Sequence, residues 1–105
     1  MAELKITVLK ALSTQEVFGE EKAKEFGAQP NNICPVMKEG AVFTVTKEGK
    51  IPEGFCTWMW HGIYPDIITL MMGGNFPWMK EEGTIISCCT DGMRPVIAKI
   101  ERIKE

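Results

Sequence analysis

A hairpin-like stretch decides the fold of this chain: Thr84-Ile-Ile-Ser-Cys88-Cys89-Thr90-Asp91-Gly92-Met93-Arg94-Pro95-Val96-Ile-Ala98. Two apolar runs flank an Asp-Gly dipeptide, a pattern typical of antiparallel strands joined at a bend. A tight two-residue turn at Asp91-Gly92 would place Cys88 opposite Pro95, whose nitrogen has no hydrogen to donate to a strand ladder. The stretch therefore predicts a hairpin with an irregular tip, where cysteine, aspartate and arginine side chains gather.

Alternating apolar and polar residues predict the other strands of a sheet. A first strand is predicted around Leu4, Ile6 and Val8, a second over residues 40–46, and a last one over 96–103. Within the last strand, Val96, Ala98 and Ile100 would share one face, since side chains alternate along a strand. These positions are the candidate core of the sheet.

Helix signals lie between the predicted strands. Ser13-Thr-Gln-Glu16 matches a capping box, which predicts a peripheral helix from about residue 14 to Gly27. Two further helices are predicted over 55–61 and 66–72, separated by Gly62 and Pro65. Both are apolar nearly all round, so they must be buried centrally or against another subunit. For so short a chain we expect a subunit interface, and hence a homo-oligomer.

The order of these elements predicts one α+β domain over residues 1–105. It has a small, mainly antiparallel sheet that could curl toward a barrel, and two or three helices. A chain of 105 residues with 45% hydrophobic and 25% charged residues can bury a core of its own. No internal repeat or linker divides it.

Charge and hydropathy exclude several classes of function. The formal net charge of -2 leaves no basic face of the kind that nucleic-acid binding needs. No apolar run approaches the roughly 18–20 residues of a membrane span, so we expect no membrane partner. The first residues lack the pattern of a signal peptide, which predicts a cytoplasmic protein.

Four cysteines, Cys34, Cys56, Cys88 and Cys89, are the candidate metal ligands. In a cytoplasmic protein they are buried thiols, redox thiols or ligands rather than structural disulfides. No C-x-x-C pair supports a thioredoxin-like or zinc-ribbon site, but dispersed cysteines can converge on a zinc ion or an iron–sulfur cluster. Strand alternation places the adjacent pair on opposite faces, unless Pro95 forces a bulge.

Three other side chains are candidates for cofactor binding: Asp91, Arg94 and His61. Asp91 is first a turn residue. Arg94 is either a surface charge or an anion-binding fork, and beside sulfur it could stabilise a thiolate. A lone histidine in an aromatic helix is more often structural, although it can also serve as a ligand or an acid–base group.

Three motifs carry a resemblance to a known family. They are Gly54-Phe55-Cys56-x-Trp58-x-Trp60, Gly73-Gly74-x-Phe76-Pro77-Trp78-Met79 and Cys88-Cys89-Thr90-Asp91-Gly92-x-Arg94-Pro95-Val96. The chain resembles a family of small uncharacterised prokaryotic proteins of about this length, many from anaerobes, that end in a similar Lys-Ile-Glu-Arg-Ile strand. The likeness covers nearly the entire chain. It implies that the cysteines, Asp91 and Arg94 belong to the family pattern, and anaerobic hosts would suit an oxygen-sensitive thiolate or iron–sulfur site.

Three hypotheses of function follow. The first is a metal-binding or iron–sulfur protein in which Cys34, Cys56 and either Cys88 or Cys89 converge, with Asp91 and Arg94 around the ligands. The second is a thiol redox protein or enzyme that uses Cys88 or Cys89. The third is an oligomeric structural or small-ligand-binding protein whose cysteines only pack. We rank metal binding first, because one histidine and four cysteines supply enough ligands. Whether the protein is an enzyme stays open.

Overall fold

A computed structural model describes residues 1–29 and 31–104 of the chain. In chain order the elements are β1 (Glu3–Ala11), α1 (Thr14–Phe18), α2 (Glu20–Glu25), β2 (Val42–Val45), α3 (Thr57–Met71), β3 (Thr84–Cys88) and β4 (Val96–Lys104). The predicted α+β class is confirmed. No helix in the described ranges is both long and apolar enough to cross a membrane.

The described strands form one antiparallel sheet in the order β2-β1-β4-β3. The two long strands, β1 and β4, lie at its centre, where Ile6 of β1 pairs with Phe43 on one side and Ile100 on the other. The short strands β2 and β3 are its edges, so this sheet is open and does not close into the barrel that the sequence allowed.

One face of the sheet packs against α3 to form the core. Leu4, Ile6 and Val8 are almost fully buried, as are Val96, Ala98 and Ile100 of β4. The predicted alternation in both strands is therefore confirmed. Burying each of these leucine, isoleucine and valine side chains stabilises the fold by roughly 1.5–3 kcal/mol before entropy is counted.

The middle of the chain is one helix rather than the two that we expected. The helix α3 runs from Thr57 to Met71 with Pro65 inside it. Ile63 and Ile67, on either side of the proline, are fully buried. A continuous apolar face along α3 thus outweighs the roughly 3 kcal/mol that proline costs inside a helix. The prediction of separate helices over 55–61 and 66–72 is wrong.

The peripheral helix is divided in two at Gly19. The capping box is confirmed, since the backbone N–H of Glu16 donates to Ser13 Oγ and the N–H of Ser13 donates to the Glu16 carboxylate. Gly19 has a φ of 89°, which lies outside the helical region and which residues with a Cβ rarely adopt. The helix is therefore interrupted at this residue. α1 and α2 therefore replace the single predicted helix.

The tip between β3 and β4 is irregular, as the position of Pro95 predicts. Cys88 pairs with Ile97 rather than with Pro95, and residues 89–95 bridge the two strands. The proline lies outside the ladder, and its carbonyl accepts a hydrogen bond from Leu12 N–H over 2.9 Å. This wide loop gives Asp91 and Arg94 room to line a cavity.

Candidate functional site

Cysteines from three distant segments line one cavity of about 210 Å³. Cys34 comes from the loop after α2, Cys56 precedes α3, and Cys89 follows β3. Asp91 and Arg94 are the charged residues of its wall. The rest of the wall is apolar: Pro35, Val36, Met37, Trp58, Met59 and Val96. We call this cavity the cysteine pocket.

Cys34 is held by a tight bend of its own loop. The backbone N–H of Met37 donates to Cys34 Sγ over 3.4 Å, and the Met37 side chain is 1% exposed, which anchors the bend in the core. Upstream, Thr14 N–H donates to the carbonyl of Asn32 over 3.2 Å and ties the loop to the start of α1. The sulfur therefore sits in a defined place although it belongs to a loop.

Cys56 is the N-cap residue of α3. Its backbone is extended, with φ -66° and ψ 123°, and its carbonyl accepts the N–H of Trp60 over 2.9 Å. The side chain makes no capping hydrogen bond, which leaves the sulfur available to the pocket. Trp58 and Met59 of the first helical turn line the same cavity. The N-terminal end of a helix carries a partial positive charge, which favours negative groups in its vicinity.

Of the adjacent pair, Cys89 is the one that joins Cys34 and Cys56. Its N–H donates to Val96 O over 3.0 Å, and Val96 N–H donates back to Cys89 Sγ over 3.2 Å. Cys88, the last residue of β3, is exposed and does not line the pocket. Cys88 ends β3, Cys89 lies in the loop that follows it, and of the pair only Cys89 lines the pocket.

The surroundings of Cys88 disfavour its thiolate form. Partial burial raises the pKa of Cys88 above its ordinary value, and the charge and hydrogen bond of neighbouring Cys89 add to this rise. A thiol is nucleophilic as its thiolate, so a raised pKa lowers the reactive fraction at neutral pH.

Asp91 organises the loop and orients Arg94. One carboxylate oxygen, Oδ1, accepts the N–H groups of Met93 and Arg94 over 2.9 and 3.1 Å. The other, Oδ2, accepts Arg94 Nε–H over 3.1 Å. Burial by itself would raise the pKa of Asp91, but the hydrogen bonds from Met93 and Arg94 and the arginine charge outweigh it and hold that pKa below its ordinary value. Asp91 is therefore ionised at neutral pH.

The junction between β1 and α1 fixes two of the loops that carry the site. Thr14 contacts both loops: its N–H donates to the loop of Cys34, and its Oγ1 donates to Met93 O over 2.6 Å. Next to it, Leu12 N–H donates to the carbonyl of Pro95. Thr14 is fully buried. The role of Thr14 could not be predicted from the sequence. The capping box already accounts for a threonine at this position, and nothing in the pattern indicates a hydrogen bond to residue 93.

His61 is not brought together with the cysteines. It is exposed on α3 and lines a separate open depression with Lys50, Trp60 and Tyr64. The expected set of cofactor-binding residues is thus split, with Asp91 and Arg94 at the cysteine pocket and the imidazole elsewhere.

The cysteines surround the pocket without meeting at one point. Over residues 1–29 and 31–104, no three His, Cys, Asp or Glu side chains form a group that could hold a metal ion as they stand. A single tetrahedral zinc ion, with Zn–S bonds near roughly 2.3 Å, would require the thiols to turn inward.

Comparisons with known proteins return no relative. No protein-family model, no curated protein and no solved structure matches this chain. The family resemblance described above therefore rests on the three sequence motifs alone.

Proposed function

We propose that the protein holds a metal centre in the cysteine pocket through Cys34, Cys56 and Cys89. One observation carries the proposal: cysteines from a loop, a helix start and a strand end line the same cavity. All three are partly buried and pack against the core, and each also presents part of its surface to the cavity. Cys88 is left outside the ligand set.

Hydrogen bonds to the sulfurs support this assignment. Met37 N–H donates to Cys34 Sγ, and Val96 N–H donates to Cys89 Sγ. Backbone donors of this kind orient thiolate ligands and help to set the potential of iron–sulfur centres. The Asp91–Arg94 pair is neutral overall, so the partial positive charge at the start of α3 is what would offset the negative charge of thiolates.

Between the two candidate groups, we place an iron–sulfur cluster before a zinc ion. The thiols line the wall of a cavity of about 210 Å³, and the described residues form no group for a single ion. A polynuclear cluster spans more of such a space than one ion does. When bound, it would supply one-electron redox chemistry or a coordination site on iron. The wall around it is mostly apolar, and Asp91 holds Arg94 in place.

Metal and sulfide analysis of protein purified without oxygen tests this function. We expect bound iron, acid-labile sulfide and broad visible absorption, and we expect Cys34→Ser and Cys56→Ser to lose most of each. Thermal unfolding monitored by circular dichroism checks that both variants remain folded. Zinc in place of iron would select the second metal. A folded wild-type protein that stays colourless and metal-free after incubation with iron and sulfide, or with zinc, contradicts the proposal.

A thiol redox function is the second candidate, because Cys89 lines the same cavity as two other free cysteines, Cys34 and Cys56. Cys89 would be the reacting thiol and Cys34 or Cys56 its partner. With oxidised glutathione as oxidant, the two thiols would lose two electrons and two protons to form a disulfide, and the oxidant would become two reduced glutathione molecules. Peptide mapping after this treatment should find Cys89, and not Cys88, in the bond. A mixture without preference contradicts this candidate.

The proposed setting is the reducing cytoplasm, with the protein as a homo-oligomer. All four cysteines are free, which suits a compartment that keeps thiols reduced. Exposed Trp58 and Trp78 would be candidates for burial between subunits, because aromatic residues are enriched in interfaces. No nucleic acid or membrane partner is part of this proposal.

A further inference from the structure

The guanidinium of Arg94 has unused hydrogen-bond donors at the cysteine pocket. Its Nε–H is taken by Asp91 Oδ2. Within residues 1–29 and 31–104, the terminal nitrogens Nη1 and Nη2 have no hydrogen-bond acceptor in the protein. The side chain is 33% exposed, so these donors can be reached from solvent and are still partly shielded from it.

The surroundings of Arg94 make those donors useful for recognition. Apart from Asp91, the residues of the pocket wall are apolar or cysteine. A hydrogen bond to a charged partner is stronger in such surroundings than in water. Because Asp91 fixes Nε, the terminal nitrogens are held in one orientation, and an orientation fixed in advance lowers the entropy cost of binding.

We infer that Arg94 is an anion-binding fork, and that the pocket takes a small carboxylate-bearing molecule with an apolar body. The planar fork of arginine matches the two oxygens of a carboxylate. The Asp91–Arg94 pair is neutral overall, which suits a ligand held by directed hydrogen bonds more than one attracted by net charge. The apolar body would lie on Val36, Met59 and Val96, beside the thiols.

This inference shares one premise with the proposed function, namely that the cysteine pocket is the functional site. It needs no metal, so the two can fail separately. Asp91 is a positioning residue here, since it acts on the ligand through Arg94. Cys34, Cys56 and Cys89 would line the cavity beside the bound molecule.

Alkylation by two matched reagents tests the inference on the reduced, chelator-treated full chain. Iodoacetate and iodoacetamide react at the same carbon: the sulfur forms a C–S bond, iodide leaves with the electron pair, and the thiol proton goes to the buffer. They differ in carrying a carboxylate or a neutral amide. We expect the ratio of the iodoacetate rate to the iodoacetamide rate to be about tenfold higher at the pocket cysteines than at Cys88, as one charge-assisted hydrogen bond pair would give.

Variants and a competitor provide the controls. Arg94→Gln should lower the ratio at the pocket cysteines to the value measured at Cys88, and Arg94→Lys should keep part of it. If either variant fails to fold, acetate in the wild-type reaction should slow iodoacetate at the pocket, whereas acetamide should not. A ratio at the pocket cysteines equal to that at Cys88, or one unchanged by Arg94→Gln or acetate, overturns the inference.

Discussion

At the scale of the residue, Asp91 does the most to shape the site. It holds its own loop through Oδ1 and the guanidinium of Arg94 through Oδ2. An asparagine in its place could still accept the backbone N–H groups through its carbonyl oxygen, but the amide nitrogen cannot accept Nε–H. Asp91→Asn therefore keeps the hydrogen bonds that hold the turn and removes the one that orients Arg94, whereas Asp91→Ala removes all of them.

The pH dependence of stability should report the charge of Asp91. Because its pKa is lowered in the folded protein, the stabilisation is present above its ordinary value of 3.8 and is lost as pH falls through the lower folded value. We expect Asp91→Asn to reduce the free energy of unfolding by about 1.5–3 kcal/mol at pH 7, the usual range for a hydrogen bond to a charged group, and by less at pH 3. Urea unfolding at both pH values measures this. A deficit that is equal at the two values would show that the carboxylate charge contributes nothing.

At the scale of the element, α3 shows why local signals mislead. Pro65 and the glycine at position 62 are helix-breaking signals, and they predicted two short helices. The buried stripe through Ile63, Ile67 and Leu70 holds one helix together across them. Helix propensity is a local quantity, while this burial depends on strands far away in sequence. The strands were easier to predict, because their alternation directly records which side chains face the core.

Replacing the proline should stabilise α3. Pro65 has no N–H, so the backbone carbonyl of His61, which is exposed, does not receive the helical hydrogen bond that residue 65 would otherwise donate to it. We expect Pro65→Ala to raise the free energy of unfolding by about 1–2 kcal/mol, less than the full cost of a buried helical proline because water can reach that carbonyl. Urea unfolding gives the value. Pro77→Ala, outside the helices, is the matched control and should bring no gain. A less stable Pro65→Ala protein would contradict this account.

At the scale of the whole molecule, the sequence predicted most of the residue types at the cysteine pocket, but it did not predict which of those residues come together in space. The sequence indicated Cys34, Cys56, Asp91 and Arg94, and strand alternation predicted opposite faces for the adjacent cysteines. It could not tell which of the two faces inward, because that depends on the register of β3 against β4, where Cys88 lies opposite Ile97. Nor could it exclude His61 from the pocket, since that follows from how α3 is rotated on the sheet. Subunit association stays a prediction.

The most direct test of a shared thiol centre compares Cys88→Ser with Cys89→Ser. Both changes replace the same atom at neighbouring positions, but only Cys89 lines the pocket with Cys34 and Cys56. Metal, sulfide and visible absorption should be measured on the two folded proteins, purified without oxygen. The account predicts that Cys88→Ser keeps the metal content of the wild type and that Cys89→Ser loses most of it. Equal retention by both, or loss in Cys88→Ser alone, would contradict it.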